Sequence, residues 1–182
     1  MKLTSEQLKK IYYGAYRFSE TEDGYLQAFQ YTERQMRYFE EASDFWFERC
    51  TASNAKTLEF RTSATRFSLE YKIIWAGSQD SVELSIDGLI TRICYVKDLE
   101  EEGKLSFDMP SGEKRVTLYL PADATMLLRN FEIDADVFAV QKGERVLWMG
   151  DSITQGFGPL RSAHTYVSAA NRLPNYDIIN QG

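Results

Sequence analysis

Histidine and cysteine are scarce in this sequence, and their scarcity excludes several kinds of site. His164 is the single histidine among 182 residues, so a multi-histidine metal centre cannot form. Cys50 and Cys94 do not belong to C-x-x-C pairs, which would indicate zinc binding or thioredoxin-like chemistry. We expect two buried free thiols, although the sequence leaves a bridge between them open. We predict neither a metal nor a cofactor.

Long apolar runs and an excess of basic residues are also missing. No stretch approaches the roughly 18 apolar residues of a membrane span. The first ten residues lack the apolar core of a signal peptide, so we expect a cytoplasmic protein that does not bind a membrane. The 27 acidic residues outnumber the 21 basic ones, giving a net charge of −6. This charge disfavours binding to nucleic acid, because phosphate backbones are repelled.

What the chain does contain is enough apolar material for a folded core. Hydrophobic residues make up 43% of the sequence and aromatic residues 14%, which indicates one domain, or one domain plus part of another. Residues 1–14 form a lead-in segment with a helix predicted over 3–12. Thr4 and Gln7 have the spacing of a capping box at the start of that helix.

Residues 15–142 are dominated by short aromatic and β-branched runs, which predict a β-sandwich. Asp87-Gly88 lies between two such runs and predicts a tight hairpin, because the turn needs positive φ at both positions. Alternation over 82–86 predicts one face on the core and one in water. Both cysteines fall in predicted strands. Examples of these runs are 44–48, 57–61, 66–75, 81–86, 89–95, 104–109, 115–120 and 126–133.

Residues 143–182 have a different pattern. The nearly continuous apolar run 145–150 predicts a strand buried on both faces, as in a parallel sheet. A Gly-rich turn, a helix near 163–171 and a second strand over 177–180 complete a βαβ unit. Two strands and one helix cannot cover both faces of a sheet, so we expect a truncated α/β domain.

The segment Gly150-Asp151-Ser152-Ile153-Thr154 carries the chemistry that the sequence suggests. It follows the predicted buried strand, so Ser152 is expected at the carboxyl end of the sheet, where α/β proteins bind ligands. Backbone N–H groups at such a turn can stabilise an oxyanion. Asp151 is expected to support the turn by hydrogen bonding. The pattern is not a G-x-S-x-G elbow, because Thr154 stands where the second glycine would be.

These residues resemble the first sequence block of the SGNH (GDSL) hydrolases, and Asn180-Gln181-Gly182 resembles the start of the second block. The resemblance implies a flavodoxin-like α/β fold over 143–182, with Ser152 as nucleophile and Gly182 as an oxyanion-hole donor. Blocks that would supply an asparagine and an Asp-x-x-His are missing from the sequence. The runs 81–88 and 115–121 are similar in pattern to the N-terminal jelly-roll domain of some SGNH esterases, including acetyl-xylan types.

We therefore predict a mainly β protein that is the N-terminal part of a serine esterase acting on small-molecule or carbohydrate acyl esters. By itself the chain is expected to be inactive, because serine needs a base and His164 is expected to be an ordinary helix residue. An alternative is a non-catalytic module that binds a glycan or a partner, suggested by the aromatic residues of 12–47, although core packing is favoured for them. A third hypothesis is self-association through the apolar strands 146–149 and 178–179.

Overall fold

A computed structural model describes residues 1–77 and 80–182. Strands hold 42% of the chain and helices 21%, which confirms the mainly β fold class. The helices are α1 (Ser5–Lys9), α2 (Glu33–Ala42), α3 (Asp44–Cys50), α4 (Ser152–Gln155) and α5 (Tyr166–Ala170), with short 3₁₀ turns at Val96–Asp98 and Ser162–His164. The strands are β1 (Tyr12–Tyr13), β2 (Arg17–Glu20), β3 (Leu26–Phe29), β4 (Thr57–Thr62), β5 (Arg66–Ala76), β6 (Ser81–Ile86), β7 (Leu89–Tyr95), β8 (Glu102–Asp108), β9 (Lys114–Tyr119), β10 (Ala124–Ile133), β11 (Phe138–Ala139), β12 (Arg145–Met149) and β13 (Asp177–Gln181).

Two antiparallel sheets enclose the main core. The first has the order β1-β4-β9-β6-β7, with β11 also paired to β4, and the second has the order β2-β3-β10-β5-β8. Phe60 of the first sheet lies edge-on to Phe67 and Phe131 of the second, with ring centroids 5.7 and 5.6 Å away. Because aromatic side chains bury large areas, these contacts join the two sheets. The predicted sandwich is therefore present, whereas its jelly-roll connectivity and the limits 15–142 and 143–182 stay predictions.

Several local predictions are confirmed. Thr4 and Gln7 form the capping box of α1, although the helix ends at Lys9 rather than at residue 12. Asp87 and Gly88 have φ of 49° and 86° and join β6 to β7. β12 and β13 pair in parallel, in register from Arg145 with Asp177 to Met149 with Gln181.

The strand predicted over 44–48 is wrong, because these residues form α3, the second of two consecutive helices. Thr32 and Gln35 close a capping box on α2, a signal that the aromatic composition of the segment obscured. Apolar residues of both helices, among them Met36 and Cys50, pack on the end of β3. Cys50 thus lies at a helix end rather than in a strand. Both cysteines are free thiols in the described part of the chain.

Two burial predictions are also wrong. β6 is buried on both faces rather than one, and Glu83, which was expected in water, is fully buried. The residues after α4 cover that face, since Arg161 forms an ion pair with Glu83 at 2.6 Å. Conversely, β12 is half-exposed rather than buried, with Leu147 52% and Met149 73% accessible. Its single neighbour among the described strands is β13, so self-association through this surface stays a prediction.

Candidate active site

The candidate site lies where β12 and β13 end side by side. After β12 the chain passes through Gly150 to Asp151, whose side chain accepts a hydrogen bond from the Ile153 N–H at 3.0 Å and so caps α4. A Cβ at Gly150 would lie 2.0 Å from Thr154 Oγ1, so a larger residue cannot occupy this position without displacing α4. The Asp151 side chain thus caps α4, and the bend presents Ser152 at the first position of that helix.

Ser152 is exposed to solvent. Its carbonyl accepts hydrogen bonds from the N–H groups of Gly156 and Phe157. Within the described part of the chain, its hydroxyl and its own N–H have no hydrogen-bond partner. The side chain is thus an open hydroxyl at a turn, beside an unused backbone donor. This is the arrangement that attack on a carbonyl requires from a nucleophile and part of an oxyanion hole.

Gly182 packs directly against α4. A Cβ at this position would lie 2.4 Å from the backbone nitrogen of Gln155 and 2.7 Å from the carbonyl carbon of Thr154, so only glycine allows this approach. The structure thus brings Gly182 to the same turn as Ser152. Its N–H donates to Asn180 Oδ1 at 3.1 Å. To serve as an oxyanion donor, this N–H must share or leave that hydrogen bond.

Asn180 is the buried side chain that ties the two strand ends to α4. Its Nδ2 donates to the Thr154 carbonyl at 2.7 Å, while its Oδ1 accepts from Gly182. Its backbone carbonyl accepts from Asn54 Nδ2 of the sandwich at 3.3 Å. One asparagine therefore holds the turn, the end of β13 and the sandwich together, and this bracing role was not apparent from the sequence.

The bracing continues into a buried polar chain behind the site. Asn54 Oδ1 accepts from Gln30 Nε2 at 2.9 Å, and Gln30 Oε1 accepts from Lys56 Nζ at 2.6 Å. The Lys56 ammonium also donates to the Ala52 carbonyl at 2.7 Å. Burial lowers the pKa of Lys56 from 10.5 to about 7, because the charged form loses its hydration. Sequence reasoning missed this chain, since its members are scattered polar residues without a motif.

His164 forms no hydrogen bond with Ser152 within the described residues. It is exposed at the end of the 3₁₀ turn Ser162–His164, and its imidazole has no hydrogen-bond partner within the described residues. Nearby Thr165 caps α5, and Tyr166 OH lies 2.7 Å from Thr154 Oγ1. These contacts fix α4 against α5 but place no titratable base on the serine.

Comparisons with known proteins bear on this geometry. No protein-family model matches the sequence, and no curated protein matches it. Solved structures do match. A salicylyl-acyltransferase from a tetracycline biosynthetic pathway is 21% identical with a TM-score of 0.76, over 92% of this chain and 50% of that one. A GDSL-like lipase from Bacteroides ovatus is 19% identical with a TM-score of 0.71, over 100% of this chain and 56% of that one.

A family two carbohydrate esterase from Cellvibrio japonicus is 13% identical with a TM-score of 0.61, over 98% of this chain and 51% of that one. The chain shares the fold of the matched parts of these enzymes. It spans about half the length of each. Identities this low show the fold alone, so the roles of Ser152 and Gly182 stay predictions. Of the residues that the structure describes, no helix has the length and apolarity to cross a membrane.

Proposed function

We propose that this chain carries the nucleophile of a serine-dependent acyl hydrolase, with Ser152 as the attacking residue. The observation that carries the proposal is the exposed, unpartnered Ser152 hydroxyl on the turn against which Gly182 packs. The hydroxyl of a serine in a purely structural turn usually accepts a hydrogen bond from the backbone as a helix cap, but here the Asp151 side chain is the cap. The fold shared with a lipase and a carbohydrate esterase supports the same assignment.

In this mechanism Ser152 Oγ attacks the ester carbonyl, and the N–H groups of Ser152 and Gly182 hold the resulting oxyanion. The carbonyl–alkoxy bond then breaks, and the proton of the serine hydroxyl passes through a base to the departing alcohol. Water attacks the acyl-serine, releasing the carboxylic acid and restoring the hydroxyl. Since the described residues place no base on Ser152, we propose that polypeptide beyond these residues supplies the imidazole.

The substrate class that we propose is an acyl ester of a carbohydrate or another small alcohol. Its support is the carbohydrate esterase among the matched structures. A matched acyltransferase supports a related outcome, in which an alcohol rather than water accepts the acyl group. An open, solvent-exposed serine is compatible with either acceptor.

The test compares the 182-residue chain with the longest polypeptide encoded in its reading frame, using p-nitrophenyl acetate and acetylated xylan. We expect the longer polypeptide to release acetate and the Ser152→Ala variant to lose at least about 10³-fold of kcat. The exposed Ser111→Ala is the matched control and should retain full activity. We expect no Ser152-dependent hydrolysis from the 182 residues alone. Activity that survives Ser152→Ala, or a reading frame that adds no base and yields no activity, contradicts the proposal.

A further inference from the structure

A polar cavity lies between the sandwich and the α5–β13 segment, at the opposite ends of β12 and β13 from Ser152. Its volume is about 520 Å³, within the range of small-molecule sites. Ile178 lines it near the start of β13, and roughly 13 Å of extended chain separates this residue from Gly182. The cavity is therefore separate from the candidate active site.

The floor of the cavity is the outer face of the first sheet. On β4, β9 and β6, side chains that face away from the core lie in cross-strand rows, such as Glu59 beside Thr117 and Ser85. A surface built only to pack against α5 and β13 would be apolar. This face instead presents hydroxyl, carboxylate and guanidinium groups to the cavity.

Cations outnumber carboxylates in this cavity, although the protein as a whole is acidic. Its charged lining residues are Arg61, Arg115, Lys142, Arg172, Glu59 and Asp87. The buried Glu59 carboxylate forms ion pairs with two cations, Lys142 at 2.5 Å and Arg115 at 2.7 Å. The uncompensated charge is positive, which favours an anionic occupant.

Arg61 lines the cavity at its solvent-exposed side. It pairs in register with Arg115 on the neighbouring strand, and like charges directly opposite each other destabilise a sheet. Nη2 of Arg115 donates to Glu59 and, at 2.6 Å, to Asn175 Oδ1. Within residues 1–77 and 80–182, no side chain forms an ion pair or hydrogen bond with the Arg61 guanidinium. A carboxylate or phosphate bound beside the two arginines would relieve their repulsion and match the fork geometry of a guanidinium.

The rest of the lining suits a hydroxylated ligand. Tyr13, Tyr119 and Tyr176 provide ring surfaces, and Ser85 together with Thr117 provides hydroxyl groups. Burial, reinforced by the nearby Glu59 carboxylate, raises the pKa of Tyr13 to about 12, so this tyrosine stays uncharged at neutral pH. Flat rings pack on the apolar face of a sugar, while hydroxyl groups pair with its alcohols.

We propose that this cavity binds a small anionic sugar, either a sugar acid or a sugar phosphate, with Arg61 and Arg115 holding the acidic group. The inference does not depend on the reactivity of Ser152, because the two sites lie at opposite strand ends. Loss of esterase activity would therefore not affect it, and loss of sugar binding would not affect the proposed nucleophile.

Isothermal titration calorimetry of the 182-residue chain tests the proposal, with glucuronate and glucose 6-phosphate as probes and with neutral glucose and inorganic phosphate as comparisons. We expect saturable binding of at least one acidic sugar at one site per chain, weakened at higher salt, and at least about tenfold weaker binding of glucose and of phosphate. A preference between the two acidic sugars identifies whether the acidic group is a carboxylate or a phosphate.

Arg61→Glu is the decisive variant, because it removes the unmet cation and places a carboxylate opposite Arg115. We expect it to abolish acidic-sugar binding while the melting temperature stays equal or rises, which separates lost binding from lost folding. The matched control is Arg92→Glu, an equal charge change at an exposed position of β7 that does not line the cavity. Unchanged binding in Arg61→Glu, glucose binding as tightly as glucuronate, or no binding of either acidic sugar overturns the proposal.

Discussion

Lys56 is a lysine enclosed by neutral groups, and this makes a sharp prediction about how stability varies with pH. It is among the fully buried side chains, and its ammonium donates to Gln30 Oε1 and to the Ala52 carbonyl. No carboxylate within the described residues forms an ion pair with it. The loss of hydration is therefore not repaid by an opposite charge, and the folded state binds the Lys56 proton more weakly than the unfolded state does.

The direction of the pH dependence of stability is set by the pKa of Lys56 in the folded and in the unfolded chain. In the folded chain the pKa is about 7, against 10.5 when unfolded. Between these values the unfolded state holds more protons, so the free energy of unfolding rises with pH. The gain is complete above about pH 10.5, and it is lost as the pH falls from there through about 7. The slope approaches about 1.4 kcal/mol per pH unit, so stability should increase by about 1 kcal/mol between roughly pH 7.5 and 8.5.

Urea denaturation at several pH values within that window measures the effect. Lys56→Met keeps the apolar stem but removes the proton, so the variant should lack the rise that the wild type shows. Its unsatisfied acceptors add a constant cost of about 1–3 kcal/mol that does not depend on pH. The exposed Lys97→Met is the matched control and should keep the wild-type slope. If wild type and Lys56→Met show the same pH dependence, the pKa of Lys56 is not lowered in the folded state.

Two further substitutions test the contacts around the site and the interface. Gly150→Ala should destabilise the chain by about 2 kcal/mol in urea denaturation, because its methyl group would clash with Thr154. The control is Gly143→Ala, whose added methyl group would make only ordinary contacts of 3.5 Å and should cost far less. Equal losses of stability in the two variants would refute the packing argument. Burial alone would raise the pKa of Glu83, but hydrogen bonds led by that of Arg161 hold it below its usual range. Its contribution to stability is thus present above the unfolded pKa and is lost in acid. Glu83→Gln should lower the free energy of unfolding by about 3 kcal/mol at neutral pH and reduce the further loss of stability in acid. Glu132→Gln, which breaks an exposed ion pair, should cost under about 1 kcal/mol. Similar losses in both variants would contradict the prediction.

The features predicted correctly from the sequence are those that depend on neighbouring residues. The Asp87-Gly88 hairpin follows from the positive φ that its turn requires, and the start of α1 follows from the reciprocal Thr4–Gln7 capping. The strand before Ser152 and the bend after it were also predicted, because an apolar run followed by Gly150 indicates a strand and a bend. The short helix α4, which begins at Ser152, was not predicted. Backbone conformation of this kind is set within a few residues of chain.

Burial and long-range contacts depended on the tertiary structure. The alternation of β6 predicted water around Glu83, but Arg161, far along the chain, covers it. Aromatic residues in 44–48 suggested a strand, but these residues form α3, which packs with α2 on the end of β3. The sequence by itself therefore determined the turns, the hairpin and the exposed serine. Only tertiary structure decided which polar groups are buried, because a polar side chain is stable inside only where distant residues satisfy it, as Gln30 and Ala52 do for Lys56.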